Sequence, residues 1–251
     1  MSESPRRLDL LLLERGLAST RTKAQDLIAN GKVSVNGCVV TRAGEKLDAG
    51  SVIEVSEAEH PYVSRGGLKL EAALRAFGVD PRGKAALDVG QSTGGFTDCL
   101  LRHGAERVTG IDVGTGQLAE SLRADPRVEF FEKQDVRTFP ATRVYALFVV
   151  DVSFVSLAHV LPVLPVHLAP DAEGIVLVKP QFEVGRDAVG SGGIVRDAAA
   201  RERAVAHVRL VCEETGFTVA GEIPSPVSGG DGNTEFLLYL QRKLASQGSG
   251  F

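Results

Sequence analysis

The sequence predicts an α/β fold: a parallel sheet with helices on both faces and an antiparallel last strand, preceded by a small α+β unit. Three observations carry this. From Gly83 onward apolar, β-type runs alternate with helix-compatible segments, the pattern of a parallel sheet covered on both sides. Within that region the stretch ALDVGQSTGGFTDCLL, residues 86–101, rises as an apolar run to Asp88, breaks at Gly90, Gly94 and Gly95, and resumes from Phe96. That is strand, tight turn and helix start. Finally, residues 6–58 have a different rhythm, two short helical stretches followed by hairpin chemistry.

In the first unit, RRLDLLLLERGL is a short helical pattern. Ser19, Thr20 or Thr22 can cap a second helix that stops at Gly31. KVSVNGCVV then reads as strand, Asn36–Gly37 turn, strand, and KLDAGSVIEV adds a further turn and strand. Residues 59–63 make a short linker, which sets the domains at 1–58 and 64–251. Ser64 is a candidate cap for the helix opened by SRGGLKL, with Lys69 in its first stretch. Strands are expected near 85–89, 108–112, 128–132, 145–151, 174–179, 218–224 and 234–241, and helices near 96–103, 117–123, 155–168 and 198–215. The last strand follows the glycine loop SPVSGGDGN with no helix between, which suits an antiparallel edge.

Composition narrows the function classes. The chain has 251 residues, 43% hydrophobic and 24% charged, enough for a real core. Net charge is −4, so any nucleic-acid contact must use a local patch. Cys38, Cys99 and Cys212 are odd in number and far apart, neither a disulfide framework nor a zinc cluster, and fit a reducing cytoplasm. No His/Cys set has metal-ligand spacing, so no metal is expected. No apolar run approaches a bilayer span; the stretch 155–169 is broken by Pro162 and Pro165.

The turn D-x-G-x-x-x-G-G is neither a dinucleotide fingerprint nor a Walker loop. Its glycines allow close backbone approach to a ligand, and the helix start offers free N–H groups. Asp112 closes the next strand, at the distance expected of an acid that accepts two ribose hydroxyls. Asp135, after the third strand, can accept from an adenine amino group or merely cap a helix. A nucleoside without a diphosphate needs such carboxylates more than a phosphate cradle, which points to S-adenosylmethionine. The cofactor set is therefore Asp88, Gly90, Ser92, Thr93, Gly94, Gly95, Phe96, Asp112 and Asp135. Two further strands end on Asp151 and Lys179; a lysine finishing an apolar strand is costly to bury alone, and Asp151 is its natural partner.

The order R-L-D-x-x-L-x-x-x-G-L-A in 7–18, then Arg21, Ala24, Leu27, Ile28, Gly31, Val33, Val35, Asn36 and Gly37, resembles the S4-type RNA-binding domain. The resemblance implies structured-RNA binding, with Arg7, Arg21, Lys23 and Lys32 as phosphate contacts. By charge alone these are a solvated face, since residues 6–57 hold eight basic and seven acidic side chains. SRGGLKL, DVGQSTGGFTDCLL, VVDVSF, LVKPQFE and GNTEFLLYL, in that order, resemble the TlyA/hemolysin A family, whose catalytic part is an FtsJ-like, Rossmann-like class I methyltransferase. That resemblance implies S-adenosylmethionine-dependent 2′-O-methylation of cytidine in ribosomal RNA, acting on rRNA or ribosomal subunits, with a catalytic set Lys69, Asp151, Lys179 and Glu235. Arg65, in the SRGGLKL motif, joins the RNA contacts.

A weak 2′-hydroxyl nucleophile needs a base, and Lys179 oriented by Asp151 fits, with Lys69 tuning it and Glu235 holding Lys69 or the RNA. Two departures are Gln91, where Ala is more usual and a larger side chain could alter cofactor affinity, and the linker HPYV. The segments 182–197 and SPVSGGDGN read as lids or as plain surface loops, with Arg186 and Arg196 as further phosphate candidates. The competing readings are a non-catalytic RNA-binding ribosome-assembly factor, a small-molecule methyltransferase and a membrane-lytic hemolysin.

Overall fold

The computed structural model describes residues 5–29, 31–48, 50–56, 60–185, 188–229 and 232–243, and the chain falls into two units, Met1–Ser64 and Arg65–Phe251. Part of the expected linker (Glu59), Arg186, and Gly230 and Asp231 of the glycine loop lie outside the described residues.

In the first unit, β1 (Arg6–Arg7) pairs antiparallel with β4 (Lys46–Leu47), so the helical pattern read from Arg6 begins as α1 only at Leu8 and runs to Glu14. Leu8, Leu11 and Leu12 of α1 pack with Ala24 and Ile28 of α2 (Arg21–Ala29). Each such leucine contributes roughly 1.5–3 kcal/mol on full burial. Thr20 is the cap of α2: its Oγ1 accepts from the Lys23 backbone N–H at 3.2 Å. Asn36 and Gly37 both have positive φ, 50° and 81°, as a two-residue hairpin between twisted strands requires. That turn joins β2 (Val33–Val35) to β3 (Cys38–Val39); β2 also pairs with β5 (Ile53–Val55), giving the order β3-β2-β5.

The second unit opens with α3 (Gly66–Phe77), which ends at the left-handed Gly78. Ser64 is not the cap; Arg65 takes that position, in αR geometry and with no side-chain cap hydrogen bond. There follow β6 (Ala85–Val89), α4 (Gly95–Arg102), β7 (Arg107–Asp112), α5 (Glu120–Arg123), β8 (Val128–Glu132), β9 (Tyr145–Val150), β10 (Leu168–Val178), α6 (Pro180–Glu183), α7 (Ala198–Glu214), β11 (Phe217–Pro224) and β12 (Phe236–Arg242). The seven-stranded sheet has the order β11-β12-β10-β9-β6-β7-β8. Strand β12 is antiparallel to both neighbours, and the pairs among β10, β9, β6, β7 and β8 are parallel.

Two expectations are corrected. The last strand is antiparallel but interior, because Leu237, Leu238 and Leu240 are buried and a strand apolar on both faces needs cover on both. The edge belongs to β11, which after the buried Phe217 alternates half-buried and exposed positions and ends in Pro224. The expected helix over 155–168 is instead two 3-10 segments, Leu157–His159 and Leu161–His167, running directly into β10. Pro162 and Pro165 lack the N–H groups an α-helix would use there. Among the described residues no helix is long and apolar enough to cross a membrane.

Candidate active site

The site is built at the carboxyl ends of β6, β7 and β9, where ligands of open α/β sheets bind. Beyond β6 the chain turns at Gly90, with φ +86°; a Cβ there would overlap the Asp151 carbonyl oxygen, so glycine is required twice over. Ser92 is also left-handed, and its backbone N–H donates to Asp112 Oδ2 at 2.7 Å. Gly114 N–H donates to Asp112 Oδ1, also at 2.7 Å. The two donors thus fix the Asp112 carboxylate, which with about four lone-pair sites keeps capacity for two hydroxyls. The Gly94 turn lets Leu118 and Leu122 approach the start of α4 closely.

A cavity of about 500 Å³ opens here, lined by Gly90, Ser92, Asp112, Asp135 and Asp151 together with Val89, Ile111, Gln117, Arg137, Ser153 and Phe154. Of the expected cofactor residues, Asp88, Thr93, Gly94, Gly95 and Phe96 do not line it. Asp88 lies fully buried below the turn. Its Oδ2 accepts from Thr97 Oγ1 at 2.6 Å, and its Oδ1 has no hydrogen-bond partner among the described residues. Burial, helped by the nearby Asp151 and Asp112 carboxylates, pushes the Asp88 carboxyl up to about 7.

The sign follows from linkage: the native state keeps this proton at a pH where the unfolded chain has lost it. Asp88 therefore subtracts stability increasingly as pH rises from the ordinary carboxylate range through about 7. Asp88→Asn is expected to gain on the wild type in melting temperature as pH rises from about 5 to 8. The difference between the two curves isolates Asp88 from His167, whose depressed imidazole titrates in the same window with opposite sign. A pH-independent difference would refute the assignment.

Gln91, whose larger side chain could alter cofactor affinity, does not line the cavity. It is 6% exposed, its Nε2 donates to Thr97 Oγ1 at 2.9 Å, and it lies flush against Gly110, where a Cβ would overlap it. Asp135 performs the capping role: it accepts from Arg137 N–H at 2.9 Å at the start of a 3-10 turn, and the Arg137 guanidinium grips both oxygens. Those bonds hold its carboxyl below the usual range, and an adenine amino group would have to share this acceptor with Arg137.

The two lysines are both paired. Lys179, just past β10, places Nζ 2.7 Å from Asp151 Oδ1 as an ion pair outside hydrogen-bonding angles, and donates to Ser153 Oγ at 2.8 Å. Asp151 is anchored in turn by its backbone N–H on the Val89 carbonyl at 2.9 Å, directly beside Gly90. Lys69, in the first turns of α3, is 8% exposed rather than a surface lysine, and donates to Glu235 Oε2 at 2.5 Å. Because Val178 faces Phe236 across β10 and β12, continuing the register by one residue sets Lys179 opposite Glu235. The structure thus brings Lys69, Asp151, Lys179 and Glu235 to one end of the sheet as two ion pairs.

Sequence reasoning missed Ser153, Arg137 and Phe154. Phe154 is 91% exposed at the cavity mouth, has φ +64°, and its ring lies 5.2 Å from that of Phe182. Nothing in the apolar run VVDVSFVSL distinguishes it from a core phenylalanine. Glu183, whose oxygens accept from Ser156 Oγ and Leu157 N–H, ties α6 to the loop that carries Phe154.

In the first unit, Arg7 and Arg21 both contact the buried Asp9, while Lys23 and Lys32 are half-buried. Arg65 is half-buried in front of α3, and Arg196 is exposed.

Residues 62–242 match the family of FtsJ-like methyltransferases, and residues 6–53 match the S4 domain. Over 96% of its length the chain is 46% identical to YqxC of Bacillus subtilis, a candidate rRNA methyltransferase, covering 87% of that protein. It is 42% identical to the 16S/23S rRNA (cytidine-2′-O)-methyltransferase TlyA of Mycobacterium tuberculosis, covering 96% of this chain and 93% of that one. A solved structure of a hemolysin candidate from Streptococcus thermophilus superposes with TM-score 0.76 at 39% identity, over 96% of this chain and 89% of the other.

Proposed function

Because the chain belongs to the TlyA/hemolysin A family of FtsJ-like methyltransferases with an S4 domain, we propose that it methylates the ribose 2′-hydroxyl of a cytidine in ribosomal RNA. S-adenosylmethionine is the methyl donor in this reading, and the reaction takes place in the cytoplasm on rRNA or ribosomal subunits. The observation that carries it is the Lys179–Asp151 pair, held beside the Gly90 turn at the edge of an acid-lined cavity.

The residues present fit the cofactor. Asp112 keeps acceptor capacity for ribose hydroxyls after its two backbone donors are counted. Asp112, held by backbone N–H groups and not by a cation, gives the cavity a negative charge that favours a sulfonium. Gly90, kept free of a side chain by the approach of the Asp151 carbonyl, presents its backbone to the cavity. When bound, S-adenosylmethionine supplies an electrophilic methyl group.

The protein's part is positioning and proton transfer. Lys179 Nζ, as the neutral amine left once its own proton has gone to solvent, takes the 2′-hydroxyl proton as the oxygen attacks the methyl carbon, so the alkoxide never has to exist free. Asp151 and Ser153 fix the direction of that amine. Lys69, locked by Glu235, holds positive charge at the same end of the sheet for the developing negative oxygen. The exposed Phe154 ring offers a flat apolar face, suited to a base taken out of its stack. Arg7, Arg21, Lys23, Lys32 and Arg65 serve as backbone phosphate contacts.

The test supplies the purified protein with deuteriomethyl-labelled S-adenosylmethionine and small subunits, large subunits or protein-free rRNA, then digests the RNA for mass spectrometry. Label on the 2′-oxygen of cytidine is expected. Label on a base, or on another nucleoside, overturns the chemistry or the specificity. Cofactor binding and RNA binding without transfer would instead indicate a non-catalytic assembly factor, and lysis of liposomes the hemolysin reading.

A further inference from the structure

The S4 unit holds a carboxylate with no part in the chemistry above. Asp9 is fully buried. Its Oδ1 accepts from Arg7 Nε at 2.9 Å, and its Oδ2 accepts from Arg7 Nη2, Arg21 Nε and Gln25 Nε2, each at 3.0 Å. The Arg7 guanidinium, with burial opposing and Gln25 and Arg21 adding, holds this carboxyl well below the usual range, so it stays ionised. Both arginines nevertheless remain near the surface, their side chains 41% and 53% exposed. Arg21 uses only Nε here, and its two Nη groups have no hydrogen-bond partner among the described residues.

We propose that Asp9 is a positioning residue for RNA: from beneath, it fixes the Arg7 and Arg21 guanidiniums as a rigid two-pronged cradle for phosphates of the RNA backbone. The inference rests on the rRNA reading and deepens it. Charge accounting separates this from two simpler roles. If the patch served only to attract RNA, an acid between its two arginines would work against it by cancelling one of two positive charges. If the cluster served only stability, apolar side chains in place of the carboxylate and both arginines would do as well or better, because a buried charge must offset its lost hydration. What the carboxylate adds is direction. It engages the Nε–Nη2 edge of Arg7 and the Nε of Arg21, leaving both Nη groups of the half-exposed Arg21 side chain for a phosphate, and a guanidinium so fixed loses less freedom when it meets one.

The test uses the full-length chain with a transcribed rRNA segment and with isolated subunits as probes. Binding is titrated over a range of salt for wild type, Asp9→Asn and Arg21→Lys. Asp9→Asn raises the local charge by one, so a pure field effect predicts tighter binding with an unchanged salt slope. Positioning predicts the reverse sign: binding weaker by roughly tenfold, and a shallower salt dependence as about one phosphate contact is lost. In steady-state methylation KM for RNA rises while kcat and cofactor affinity hold. Arg21→Lys keeps the charge, alters a half-exposed side chain and loses the planar fork; it too is expected to weaken RNA binding.

Equal or tighter binding by folded Asp9→Asn, or wild-type binding by Arg21→Lys, overturns the proposal. If Asp9→Asn loses its near-ultraviolet circular dichroism, Arg21→Lys decides alone. If the wild-type chain binds no ribosomal RNA, the functional reading itself fails and the cradle with it.

Discussion

Lys179→Met is expected to slow methyl transfer by about 10²–10⁴-fold, the usual contribution of a positioned acid or base, with cofactor affinity unchanged. Methionine keeps most of the apolar stem and removes only the amine, so packing at the end of β10 is largely retained. The partner left behind, Asp151, lines the cavity with 22% of its side chain exposed, and shortening Lys179 opens its buried Oδ1 to the water of that cavity. A large loss of fold is therefore not expected, and the rate effect can be read as chemistry. Single-turnover assays with saturating cofactor and rRNA are the right measurement, because product release cannot mask the step. Ser153→Ala removes only the hydrogen bond that aims the amine, and its effect should be smaller. A Lys179→Met enzyme with the wild-type single-turnover rate would take the proton-transfer role away from this residue.

The parts of the molecule legible in the sequence are those where local chemistry admits one solution. Gly90 and Gly94 between an apolar run and a helix announce the turn, and Asn36–Gly37 announces its hairpin, because the positive φ values found there suit few other residues. Strand ends at Asp112, Asp151 and Lys179 stand out as polar groups finishing buried runs. What was not legible depends on partners distant in sequence. The local pattern around Lys69 does not show its burial; only the family resemblance pairs it with Glu235, 166 residues away.

The position of β12 inside the sheet follows from two-faced burial, whereas the preceding loop alone suggested an edge. At Pro162 and Pro165 proline chemistry outweighs the apolar pattern of 155–168, and the segment folds as 3-10 turns. Gln91 and Phe154 are opposite cases of one ambiguity. Residue type does not say which way a side chain leaves a turn, and here the polar one goes in and the aromatic one goes out.

Glu235→Ala is expected to cost about 3–5 kcal/mol of stability, the range for stranding one member of a buried ion pair. The Lys69 side chain is 10% exposed and that of Glu235 2%, so little water is available to replace the lost carboxylate. Glu235 also meets the loop before it: its backbone carbonyl accepts from Ser225 N–H at 2.8 Å, and its carboxylate lies against Gly229. For a unit of this size the loss corresponds to a fall in melting temperature of roughly 2–4 °C per kcal/mol. Lost activity in this variant would then be ambiguous between chemistry and folding, and a second variant resolves it. Lys69→Met with Glu235→Leu removes both charges and keeps the apolar volume, so most of the stability should return. If methylation stays low in that refolded double variant, the pair is needed for its charge at the end of the sheet. If methylation returns with stability, Lys69 and Glu235 are scaffold, and the chemistry contracts to Lys179 and Asp151.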